Sequence, residues 1–203
     1  PSLVGSLSAL ALFLLSCQPL VSVNPLSGSH DFPADARLEG IWYIISKEND
    51  RFFNLVFVPI DDSLMKLDVV HYNYERSAEV SGPVIWSRYR VFRTEIDGAQ
   101  YLNLKPIALG SVGEAVEEPE EPDYGVVEYE ISEDGSLTIW LVSDGVLKRD
   151  IKDGKVAGTV KLSGEVIVTD NSENLRDYFR DAEDLFTEKF TFRKMSSEAP
   201  RNR

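Results

Sequence analysis

The chain has 203 residues, with 34 acidic against 21 basic side chains, a formal charge of −13, and 43% apolar residues. That is the length of one domain and enough apolar material for a buried core. The acidic surplus excludes a sequence-independent grip on nucleic acid, which needs a positive surface to displace counterions, and argues against adsorption of the folded domain on anionic headgroups; a dispersed monomer is expected.

No charged side chain occurs before Asp31, and Leu3 to Leu15 is an apolar stretch of Leu, Ala and Ser. It has the length of a signal-peptide core and is short for a membrane span. A positively charged n-region is missing before it, so the segment is expected to begin further upstream. The run Leu14-Leu15-Ser16-Cys17 resembles the bacterial lipobox, where a small residue precedes the cysteine that is lipidated and becomes the new N-terminus. A plain secretory signal has no need of that cysteine. A transmembrane helix would have to pass Gln18-Pro19 and Asn24-Pro25. Cys17 is the only cysteine, and lipidation also accounts for an unpaired thiol in an exported chain. The division that follows is a signal peptide over 1–16, a flexible tether over 17–33, one β-barrel domain over 34–195 and a frayed tail over 196–203. His30 falls in the tether and is read as solvated.

From Ile41 the pattern predicts strands at 41–46, 52–58, 64–74, 84–96, 100–106, 124–132 and 136–142, rich in Val, Ile, Tyr, Phe and Trp. Turn signals separate them, among them the pairs Asp97-Gly98 and Asp134-Gly135, which mark hairpins. Leu137, Ile139 and Leu141 share one face; Trp86, Arg88, Arg90 and Phe92 share another, opposite Ile85, Tyr89 and Val91. One apolar face and one mixed face fit an antiparallel up-and-down meander closed on itself.

Two helices follow. Residues 143–153 space Val146, Leu147 and Ile151 helically before Gly154, and 172–186 carry the stripe Leu175, Phe179, Ala182 and Phe186. Asp170, Asn171 and Ser172 are its N-cap candidates. Short strands are expected at 156–161 and 165–169, and a last one at 189–194. Residues 110–123 hold Glu114, Glu117, Glu118, Glu120, Glu121 and Asp123, but lack the alternating ligands and fixed glycine of a calcium loop and read as a solvated hairpin tip.

Little catalytic machinery is legible. No phosphate-cradling glycine loop, nucleophile elbow or paired-histidine metal spacing occurs, so no cofactor, metal or catalytic residue is assigned. His71, in Val69-Val70-His71-Tyr72, is expected to be a hydrogen-bonded strand histidine. A carboxylate pair brought together by the fold stays open, since sequence spacing does not limit spatial distance.

Gly40-Ile41-Trp42, entering the first long strand, resembles the Gly-x-Trp opening of lipocalins and related calycin barrels. The resemblance implies that Trp42 closes one barrel end beneath a basic side chain of the last strand, for which Arg193 in Phe190-Thr191-Phe192-Arg193-Lys194 is the candidate. The start Arg37-Leu38-Glu39-Gly40-Ile41-Trp42, Tyr101-Leu102-Asn103-Leu104, the hairpin from Tyr129 to Leu141, the helix from Ser172 and the Phe-Thr-Phe-Arg end together resemble a group of small bacterial envelope lipoproteins, one that brings no known activity with it. The expectation is therefore a mainly β chain: a calycin-like antiparallel barrel or strongly curved sheet with two short peripheral helices, lipid-anchored in the bacterial envelope, on the outer membrane facing the periplasm. Its partners would be the membrane, through the lipid on Cys17, and an apolar small molecule in the barrel, or it would serve as an interaction module. The alternatives are a hydrolase with a carboxylate or His71 at the barrel mouth, and a structural barrel filled by Phe53, Phe57, Tyr72, Trp86 and Phe92.

Overall fold

The alternation from Gly40 onward becomes a ladder of antiparallel strands, each paired with the next. The structure is a computed structural model that describes residues 20–45, 51–73, 85–111, 123–182 and 184–195, with backbone alone at 45, 51–53, 71–73, 85 and 109–111. In chain order these are β1 (Leu20–Ser22), a 3₁₀ turn (Ala36–Leu38), β2 (Gly40–Ile45), β3 (Arg51–Pro59), β4 (Leu64–Asn73), β5 (Ile85–Ile96), β6 (Ala99–Ser111), β7 (Tyr124–Ile131) and β8 (Ser136–Val142). Then come α1 (Asp144–Lys152), β9 (Gly158–Val160), β10 (Val166–Val168), α2 (Ser172–Asp181) and β11 (Phe186–Lys194).

Strands β2 to β8 pair consecutively and antiparallel, and β11 pairs with both β8 and β2, which closes an eight-stranded barrel. The protein is thus mainly β, with the calycin-like barrel and two helices that the sequence predicts. The β5–β6 turn shows why Asp97-Gly98 is a hairpin signal. Both residues have positive φ, 49° and 89°, the backbone that matches the twist of the flanking strands.

Alternation splits the apolar residues into two cores. Inside the barrel Trp42, Phe57, Leu67, Val91, Leu102, Leu137 and Phe192 are buried in one cluster. Outside the wall, Ile96, Tyr101 and Val126 meet Leu20, Leu26, Val168, Leu175 and Phe179 in a second. Helix α2 supplies the stripe for this outer core, capped by Asn171, whose side chain accepts from Asn174 N at 3.0 Å. Helix α1 is capped likewise by Ser143.

Four expectations are corrected. The flexible tether assigned to 17–33 is, from Leu20 on, part of the fold. Strand β1 pairs antiparallel with β7 and parallel with β10, Leu26 is fully buried, and its N–H donates to Asn103 Oδ1 at 2.7 Å. Burial of Leu20 and Leu26 in the outer core overrides the turn-rich composition around them. His30, read as a solvated tether residue, is exposed but hydrogen-bonded: its Nδ1 lies 2.5 Å from Ser63 Oγ. Helix α2 stops at Asp181, and Phe186 opens the last strand while still packing edge-on against Phe179, ring centroids 6.0 Å apart. Trp86 and Phe92 do not fill the barrel, because Val91 takes the inward position and its neighbours by alternation stand on the outer wall. Cys17, the 110–123 tip apart from Gly110, Ser111 and Asp123, and the side chains of Phe53, His71 and Tyr72 lie outside the described residues. The backbone of His71 pairs with Phe53 and Ile85.

Candidate functional site

One end of the barrel is sealed from the residues upward. The 3₁₀ turn drives Leu38 under the wall, where it is 1% exposed, and its carbonyl accepts from Trp42 Nε1 at 2.7 Å. Gly40 has a φ of +119°, and a Cβ there would meet Lys194 Cε at 3.0 Å; this is why a glycine precedes the tryptophan by two positions. Lys194 crosses the seam, its ammonium 5.3 Å from the Trp42 ring and donating to Arg37 O at 3.1 Å. Arg193, the expected partner, is Cα-paired with Tyr43 rather than Trp42 and is exposed. The basic residue from the last strand is therefore Lys194, one position further along. The signal was present: Phe190 and Phe192 set the inward parity, and residue 194 follows it.

Beside this plug, Tyr129 donates to Asp35 Oδ2 at 3.1 Å, and Asp35 forms a two-point pair with Arg37. Burial pushes the Asp35 carboxyl up, but hydrogen bonds from Arg37 and its charge outweigh this and leave it below the usual carboxylate range. Burial, reinforced by the Asp35 charge, holds the Tyr129 hydroxyl protonated well above the ordinary tyrosine range.

Two residues away along several strands, at the next inward position, the interior changes character. Ile44, Val69, Tyr89, Ile139 and Phe190 are packed against the inner core yet only partly buried. Each follows by alternation a fully covered neighbour such as Trp42, Leu67, Val91, Leu137 or Phe192. The described side chains fill the barrel at the Trp42 end, and at the next inward level they are apolar and partly covered, with Tyr89 bringing a hydroxyl. Burial raises that hydroxyl's pKa, so it serves as a neutral donor. Asp68 on β4 and Glu128 on β7 stand on the outer wall, on strands that do not pair, and Asp68 holds Arg88 at 2.6 Å and 3.2 Å.

A second concavity lies outside the barrel between α1 and α2, an open groove of about 1230 Å³. Asp150 is its buried carboxylate, with Tyr178 Oη at 3.0 Å, Arg149 Nε at 3.0 Å and Lys155 Nζ at 3.2 Å. These three donors account for both oxygens, so the cluster joins the helices and leaves no free base. Among the described residues no group of three or more His, Cys, Asp or Glu could hold a metal ion.

The described strands define a closed eight-stranded antiparallel barrel with an apolar interior. Comparison with protein-family models, with curated proteins and with solved structures finds no match for the chain.

Proposed function

We propose that this protein is a lipid-anchored component of the bacterial cell envelope that receives a small apolar ligand in the barrel. The observation that carries the binding reading is the level of partly buried inward side chains, Ile44, Val69, Tyr89, Ile139 and Phe190, above a fully buried floor. Apolar walls with one neutral hydroxyl suit a hydrocarbon with a single polar end. The anchoring reading is supported by the apolar stretch Leu3 to Leu15 ending at Ser16-Cys17. An outer membrane facing the periplasm is the location that goes with it.

A titration with N-phenylnaphthylamine tests the binding. Saturable fluorescence with a single site is expected, and Ile139→Glu should abolish it while leaving the far-ultraviolet spectrum of the barrel intact. Unsaturable fluorescence, or a signal that Ile139→Glu leaves unchanged, would mean that the interior takes no ligand. For the anchor, Cys17→Ser should leave uncleaved precursor or release the protein from membranes. Wild-type maturation and fractionation of that variant would end the lipoprotein reading.

A further inference from the structure

We propose that the turn between β9 and β10 is a second membrane contact, with Leu162 entering the bilayer beside the lipid on Cys17. The inference rests on the lipidation of Cys17 and adds an orientation to it. Leu162 is 110% exposed and Val160 46% exposed, in a turn held by two backbone hydrogen bonds: Lys161 N donates to Glu165 O at 2.8 Å, and Gly164 N to Lys161 O at 2.9 Å. A single exposed leucine is ordinary on a protein surface. Its position relative to the chain's start makes this one informative.

Strands β1 and β10 are parallel, with Val21 opposite Ile167 and Ser22 opposite Val168. Both are therefore entered from the same end, β1 from the direction of Cys17 and β10 from the Leu162 turn. Leu20 comes level with Val166, whose partner across the hairpin is Val160. Two strand spacings of about 4.8 Å separate Leu20 from the β9 edge, or about 10 Å. Cys17 is three peptide steps before Leu20, which limits its Cα to about 11 Å from that of Leu20. A lipid on Cys17 thus lies within reach of this end of β1, β10 and β9, and the fully exposed large apolar side chain on the β9–β10 turn is Leu162. The partner of the exposed leucine is lipid, because the anchor puts the bilayer within its reach. Apolar insertion needs no charge attraction, which a chain of formal charge −13 lacks at anionic headgroups.

The test uses the full acylated chain carrying Leu162→Cys. Cys17 is then blocked as a thioether, and residue 162 offers the only free thiol. That thiol is labelled with an environment-sensitive fluorophore, and the protein is reconstituted in phosphatidylcholine vesicles with brominated acyl chains. Asp62→Cys, in the turn between β3 and β4 across the barrel from β7, is the comparison site. Blue-shifted emission and severalfold stronger bromine quenching at 162 than at 62 are expected. Equal, water-like emission at both sites in acylated protein overturns the hairpin contact and leaves the lipid anchor standing. A Cys17 peptide of unmodified mass overturns the anchor itself, and the inference with it.

Discussion

Lys194 and Trp42 face each other across the seam that closes the barrel, as Cα partners of β11 and β2 with the ammonium 5.3 Å from the indole ring. The exposed cation contributes on the order of 0.5–1 kcal/mol, and the buried indole far more. Lys194→Ala should lower the unfolding free energy by about that amount, Trp42→Ala by about 3–5 kcal/mol, and Arg193→Ala by no more than about 0.5 kcal/mol. Urea denaturation of the three variants measures this. A larger loss for Arg193→Ala than for Lys194→Ala would refute the assignment of the seam.

Asn103 ties the N-terminal segment to the outer wall. It is fully buried, accepts from Leu26 N, and donates to Thr94 Oγ1 at 2.8 Å; Thr94 Oγ1 lies 2.5 Å from Ser27 Oγ. Asn103→Ala leaves the Leu26 amide without its acceptor, and a buried unpaired donor costs about 1–3 kcal/mol. The loss should be accompanied by faster hydrogen exchange at the Leu26 amide. Unchanged protection of that amide would show that the segment is held by apolar contacts alone.

Alkaline pH should unfold the protein through its tyrosines. Burial is the largest cause raising Tyr89, Tyr101, Tyr129 and Tyr178, with Tyr101 pushed up to about 12 from 10.0. Each group is neutral when protonated, and its folded pKa lies above its unfolded one. Its contribution to stability is therefore complete below pH 10 and is lost as pH rises from there through the folded pKa. Of the 8 tyrosines, these four should resist ionisation at 295 nm until the barrel opens, giving a two-phase titration. A single smooth phase centred near the free-tyrosine value would contradict the burial of these hydroxyls.

The barrel was legible in the sequence because period-two alternation is a local property. Tyr101-Leu102-Asn103-Leu104 illustrates it: Leu102 and Leu104 enter the inner core, while Tyr101 joins the outer one and Asn103 faces the N-terminal segment. The outer core was not legible. Leu20 and Leu26 sit among prolines, serines and glycines with no period, and only contacts to β7, β10 and Asn103 order them. The same limit applies to the partly covered level. Alternation marks Ile44 and Phe190 as inward, but whether an inward residue is covered depends on depth in the barrel, which no local pattern encodes.

The hand-over along β7 has a consequence for how the chain is made. Strand β8 pairs with β7 at Glu128 to Ile131, and where it turns away toward α1, β1 takes the vacated edge at Tyr124 to Val126. This stretch, synthesised before the barrel strands, is therefore among the last to find its place, since its partners on β7 and β10 emerge far later. Until it returns, β7 presents a bare ladder edge on which another chain can nucleate. A fragment started at residue 34 would keep every strand of the barrel and make that vulnerable intermediate permanent.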